Sequence, residues 1–256
     1  MKILKNKAIT KKAVLFTLCI LPPALVGTYF AVSEVLKSIP REQRDILIEQ
    51  CGSEQAVISL SIIQPIILVI FCSFFGYLLS EKIGLMKPFK IEKKAAVITL
   101  ISGIIGGLII SCDAFTFAKI IPEVAKSYES PITPISFVYS VLYGGIVEEI
   151  LLRLFVMSLF SLAIKFIFFK KEETYSPKIY IAANFIAALL FTAGHLPATL
   201  SLFGTLTPLI VFRCFLLNGM GGLIFGYLYR KYGIGYSMIS HALFHICSKC
   251  ILLIFL

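Results

Sequence analysis

Charge is scarce in this chain. Asp, Glu, Lys and Arg make up 15% of its 256 residues, and hydrophobic residues make up 58%. A soluble globular domain carries about 25% charged residues. The shortage argues against a water-exposed fold. Histidine is rarer still, with His195, His241 and His245 and no others. No disulfide framework is visible among the seven cysteines. Cys19, Cys72, Cys112, Cys214, Cys247 and Cys250 lie in or near apolar runs, and Cys51 lies in a loop. They read as free thiols that pack as small apolar residues. Cys247-x-x-Cys250 taken alone is a weak metal or redox signal, and no βαβ context supports it. No low-complexity tract interrupts the sequence.

What the chain has instead is long apolar runs, with a mean hydropathy of +0.93. Seven are long enough to span: roughly 13–32, 56–79, 95–114, 134–160, 179–200, 208–229 and 234–256. About 20 apolar residues cross a hydrocarbon core of about 30 Å as a helix. The runs are continuous rather than alternating, so helices are expected and not a barrel. The expected fold is all-α: a polytopic membrane helical bundle forming a single domain over residues 1–256. The first run follows a lysine-rich start and resembles a signal peptide. It continues through Pro22-Pro23 to Val32, too long for such a segment, and is read as a retained span. The two prolines are expected to kink that helix or to start a new one.

The net charge of +10 is mostly topology. Lys2, Lys5, Lys7, Lys11 and Lys12 precede the first span. Lys82, Lys87, Lys90, Lys93 and Lys94 follow the second, Lys165, Lys170, Lys171 and Lys178 the fourth, and Arg230 and Lys231 the sixth. The intervening loops are poorer in such residues. This alternation predicts a cytoplasmic N-terminus and an outside C-terminus. Basic residues scattered over short loops argue against a nucleic-acid partner and for contact with anionic membrane lipids. The polar stretch 33–55 is expected outside and partly helical. Gly103/Gly107 and Gly222/Gly226 are small-residue pairs expected to let helices pack closely.

Ionisable residues inside spans are costly and mark function by default. Glu148, Glu149 and Arg153 lie together in Ile146-Val-Glu-Glu-Ile-Leu-Leu-Arg. Glu149 and Arg153 are four apart, Glu first, which suits an ion pair along a helix. Glu148 points about 100° away around an α-helix and is left free. His241 and His245 are also four apart and share a face of the last span. Counting helix rise from the nearest lysines puts Glu149, His195 and His245 about 31, 25 and 21 Å from the same surface. Tilt absorbs such differences, so convergence is expected. Each histidine alone is more simply a satisfied core residue. All three in spans beside a free glutamate point to a site.

Glu148-Glu149-x-x-x-Arg153, Phe191-x-x-x-His195 and His241-x-x-x-His245, in that order, resemble the motifs of the CPBP family. These are CAAX-protease and bacteriocin-processing or immunity membrane proteins, also called ABI and similar to type II CAAX prenyl endopeptidases. The resemblance covers about residues 134–256, the last four spans, which would form the catalytic core. It implies an intramembrane endopeptidase. Glu148 would be the general base on water, His195 would hold that water, and His241 and His245 would stabilise the oxyanion. Arg153 would position Glu149. Two positions depart from the pattern. The third motif usually ends in Asn and here ends in His245, and Leu154 stands where Gly is common. No cofactor is favoured. Zinc held by Glu148, His195, His241 and His245 is the alternative that the extra histidine raises.

The substrate implied is a membrane-associated peptide or protein. Bacteriocin or peptide-pheromone maturation or self-immunity is favoured over a prenylated substrate, since the short Lys-, Ile- and Phe-rich chain looks bacterial and suits a bacterial cell membrane. The rival readings are a non-enzymatic immunity or scaffolding membrane protein and a small proton- or metal-relay transporter. Asp113 and Arg213 fit the transporter slightly, though pairing or snorkelling explains them more simply.

Overall fold

Long continuous apolar runs satisfy their backbone in lipid as helices, and each of these runs is helical. The computed structural model describes residues 6–255, so Lys2, Lys5 and Leu256 lie outside the described residues. It is 85% helical and has no strand among those residues. Seven helices are long and apolar enough to cross a membrane: Lys7–Lys37, Glu54–Lys82, Lys93–Lys119, Pro134–Phe168, Pro177–Phe203, Pro208–Tyr232 and Ile234–Phe255. Large apolar side chains such as Leu18, Ile67, Phe185 and Phe212 stay exposed along them. The protein is an integral membrane protein.

Helix α1 (Lys7–Ser38) is capped by the Asn6 side chain and runs unbroken through Pro22-Pro23. The prolines therefore start no new helix. The polar connector is almost wholly helical: α2 (Arg41–Cys51) ends at Gly52, and α3 (Glu54–Lys82) begins after the Ser53 cap. Helix α4 (Lys93–Ser111) continues into short 3-10 turns and α5 (Pro122–Ser127). The fourth span is one continuous helix. It starts as α6 (Pro134–Tyr139) behind a Thr133–Ser136 capping box, is wound as a π-helix over Ser140–Met157, and finishes as α7 (Ser158–Phe168). Helices α8 (Pro177–Phe203) and α9 (Pro208–Tyr232) each start with Pro at the first position behind a Ser or Thr cap, where a missing N–H costs nothing. Helix α10 (Ile234–Phe255) follows α9 after a single residue, Gly233, at φ +101°.

The helices approach at glycines. Gly103, Gly106 and Gly107 of α4 lie against Leu243, Phe244 and Cys247 of α10, and Gly222 and Gly226 of α9 against Ala188 and Asn184 of α8. Those are the close contacts expected from the small-residue pairs. All seven cysteines are free. At the basic end of the bundle, Lys87 Nζ donates to the Arg230 and Lys231 carbonyls that end α9. Burial, with Lys231 close by, lowers the pKa of this loop ammonium. At the other end Asp113 takes a two-point ion pair from Arg213, Nε to Oδ1 at 2.7 Å, and a 2.6 Å hydrogen bond from Tyr128. This pairing answers for both intramembrane charges that suited a transporter.

A Cβ at position 107 would stand 2.5 Å from Cys247 Cβ and 3.0 Å from the Phe244 carbonyl oxygen. Gly107→Ala is expected to cost about 1–3 kcal/mol by overpacking, read as a lower thermal midpoint in detergent. Gly194→Ala, whose Cβ would meet nothing within 4 Å, should leave the midpoint unchanged or raise it.

Candidate active site

The π winding matters first for the paired glutamates. More residues per turn than 3.6 means less than 100° between neighbours, and both carboxylates reach one imidazole, that of His241. Glu149 Oε1 lies 2.8 Å from His241 Nδ1, and Glu148 Oε2 lies 3.6 Å from His241 Nε2. The wide separation expected from an α-helix is therefore narrowed.

Glu149 is fully occupied. Its side chain is 0% exposed, and Arg153 Nη1, four residues on, stands 3.3 Å from Oε1. Oε2 accepts from Ser237 Oγ of α10, which also lies 2.8 Å from the Phe225 carbonyl. With His241 Nδ1 donating as well, no oxygen of this carboxylate is spare. The Arg153 guanidinium sits 4.5 Å from the Phe191 ring centroid and 5.3 Å from that of Phe225. The ring faces attract a desolvated cation, which offsets guanidinium N–H groups that have no protein acceptor.

Glu148 is the opposite case. It is 17% exposed and makes no hydrogen bond within normal length, but two imidazole nitrogens face it. His195 Nε2 lies 3.7 Å from Oε1, opposite His241 Nε2 at Oε2. His195 reaches it from α8, with Nδ1 2.8 Å from the Phe191 carbonyl oxygen one turn earlier. A carbonyl only accepts, so Nδ1 carries the proton and Nε2 presents a lone pair toward Glu148. Pro197 two residues on does not break α8. His241 is held flat by stacking on Phe225 at 4.2 Å. His245 stacks on His241 at 5.1 Å.

All six residues singled out in the sequence meet in this cluster. Three that sequence reasoning missed complete it. Ser237 lies four residues before His241, on its face of α10, and orients Glu149. Phe225 of α9 packs on His241 and Arg153. Gly144, one turn before Glu148, leaves room for the imidazoles: a Cβ there would fall 2.5 Å from His245 Nε2 and 3.2 Å from His241 Nε2. A small polar residue at i−4 from His241 and a glycine at i−4 from Glu148 were the available signals. For zinc the donor types suit. Among the described residues no three His, Cys, Asp or Glu side chains are grouped to hold a metal ion.

The family model for type II CAAX prenyl endopeptidase Rce1-like proteins matches residues 130–247. The chain is similar to that family over this segment. The matched segment runs from just before α6 to Cys247 and contains every side chain of the cluster. It is a protease family, so a peptide or protein is the substrate class it carries. No curated protein and no solved structure matches the chain.

Arg153→Met would strand the Glu149 charge in a dry interior. Breaking a buried pair in this way costs about 3–5 kcal/mol, visible as a large fall in thermal midpoint. Glu149→Gln added to Arg153→Met should recover a substantial part of that loss. No recovery would show that the pair does not govern stability here.

Proposed function

We propose that the protein is an intramembrane endopeptidase in which Glu148 activates water. The observation that carries this is the contrast between the two neighbouring carboxylates: Glu149 has every oxygen engaged, and Glu148 faces two imidazoles with no direct hydrogen bond. Separations of 3.6–3.7 Å are too long for direct hydrogen bonds and within reach of a shared water. Such a water donates one hydrogen to Glu148 and the other to His195 Nε2, which turns an oxygen lone pair toward the substrate. Attack on the scissile carbonyl forms the C–O bond as Glu148 takes the proton. Glu148 then returns the proton to the amide nitrogen as the C–N bond breaks, releasing an amine and a carboxylic acid, whose remaining proton passes to the amine to leave a carboxylate and an ammonium.

The carbonyl oxygen becomes an anion on the way and needs donors. His241, held on Glu149 through Nδ1, is the first group turned toward that space. His245, stacked beside it, is the second group turned toward that space. Arg153, Ser237 and Glu149 act through His241 and are positioning residues.

No cofactor enters this reading. Zinc is the alternative, because each of His195 and His241 is held through Nδ1 by an oxygen acceptor, a common support for a metal ligand. The substrate is a membrane-associated peptide or protein. The short Lys-rich chain supports a bacterial cell membrane, with the N-terminus in the cytoplasm and the C-terminus outside. A role in bacteriocin or pheromone maturation, or in self-immunity, fits that setting. A scaffolding or immunity protein without catalysis has no use for a carboxylate kept free of partners among imidazoles.

Glu148→Gln keeps the shape and removes the base. It is expected to lower peptide hydrolysis by about 100-fold or more with an unchanged thermal midpoint. Wild-type hydrolysis by this variant would overturn the mechanism. If the variant also still confers protection from a cognate peptide, the non-enzymatic reading takes its place. Dialysis against a chelator should leave activity intact and the metal content well below one per chain. Activity lost on chelation and restored by zinc would establish the metal reading.

A further inference from the structure

Lys249 is the one Lys, Arg, Asp or Glu of α10, and the scheme above does not use it. It stands one turn beyond His245 and two beyond His241, so the three share a face of the helix. It lies inside the last span and is half-buried. An ammonium in a span is costly unless it is paired. Three other cations carried by the spanning helices have partners. Arg153 has Glu149, Arg213 has Asp113, and Lys165 donates to the Phe169, Glu172 and Thr174 carbonyls. Lys249 has no hydrogen bond, ion pair or ring contact, and no carboxylate near it among the described residues.

An unpaired cation beside a peptide-cleaving cluster is matched by an anion that arrives with the peptide, and the anion peptides carry is the carboxylate. Its Cα lies about 6 Å beyond that of His245 and about 12 Å beyond that of His241 along the axis. An extended peptide spans about 3.3–3.6 Å per residue. We propose that Lys249 binds a carboxylate of the peptide substrate, about two to four residues from the scissile bond. This rests on the endopeptidase reading and deepens it, by making Lys249 a specificity-determining residue. The carboxylate has two sources, the C-terminus of the substrate or an Asp or Glu side chain.

The test uses internally quenched apolar peptides in phosphatidylcholine vesicles holding the full-length protein. Each sequence is made with a free C-terminus, with a C-terminal amide, and as an amide with Glu placed two to four residues from the cleaved bond. The wild type should show a KM about tenfold lower for a carboxylate-bearing form than for the plain amide, the value of one charged hydrogen bond. A preference for the free C-terminus identifies the first source and a preference for the Glu form the second. Lys249→Met should abolish the preference with kcat retained, and Lys249→Glu should favour a peptide carrying Lys at the same place. Binding to the Glu148→Gln protein, followed by fluorescence without hydrolysis, reads the same preference if no peptide in the panel is cleaved. Equal affinity for all three forms, or a preference that survives Lys249→Met, overturns the proposal. In that case Lys249 reaches only for lipid headgroups. Absence of cleavage with the binding preference present would fail the endopeptidase reading and leave the carboxylate contact standing.

Discussion

The site hangs on one buried interaction, the Glu149–Arg153 pair on the fourth span. An ion pair taken out of water is often no more stable than apolar residues of the same volume. Here the pair is 0% and 1% exposed, and its surroundings compensate the desolvation. Phe191 and Phe225 put ring faces against the guanidinium. Ser237 and His241 donate to the carboxylate. What the cell gains is geometric. Four helices place side chains on this pair, the fourth span itself together with α8, α9 and α10, and His241 takes its orientation from it.

Close backbone contact makes that convergence possible. Helices in lipid have little hydrophobic drive to associate and rely on packing and interhelical hydrogen bonds. Glycines at 103, 106 and 107 bring α4 onto α10, and glycines at 222 and 226 bring α9 onto α8. At the basic end, buried Tyr229 joins Ser80 and Ser158 through its hydroxyl, tying α9 to α3 and α7. Such contacts hold the two histidine-bearing helices against the glutamate helix without crossing the site itself.

Much of this was legible in the sequence because it rests on local periodicity. Seven spans follow from run length, and the Glu149–Arg153 pair from a spacing of four on one helix. The placement of both prolines inside α1 was not legible as an unbroken helix, since proline's lost hydrogen bond argues for interruption and its tolerance depends on neighbours. Nor was the π winding over Ser140–Met157, which no residue pattern announces and which turns both glutamates toward His241. Ser237 looked like any small polar residue until α10 packed against the fourth span. The bond from Glu149 to His241 joins positions 92 residues apart, a tertiary fact that no spacing encodes.

Gly144 and His245 show why a site residue cannot be judged by its own motif. The resembling family usually has Asn where this chain has His245, and an imidazole is the larger group. The His245 Nε2 atom occupies space that a Cβ at position 144 would enter, at 2.5 Å. Ring and glycine are thus one fitted pair, made across two helices. The added imidazole stacks on His241 and keeps that ring in the plane set by Phe225 on its other side. A shorter carboxamide cannot span that gap by stacking. The departure at 245 therefore changes what steadies His241, and the Glu149 hydrogen bond and the aromatic stack together fix the imidazole that faces Glu148.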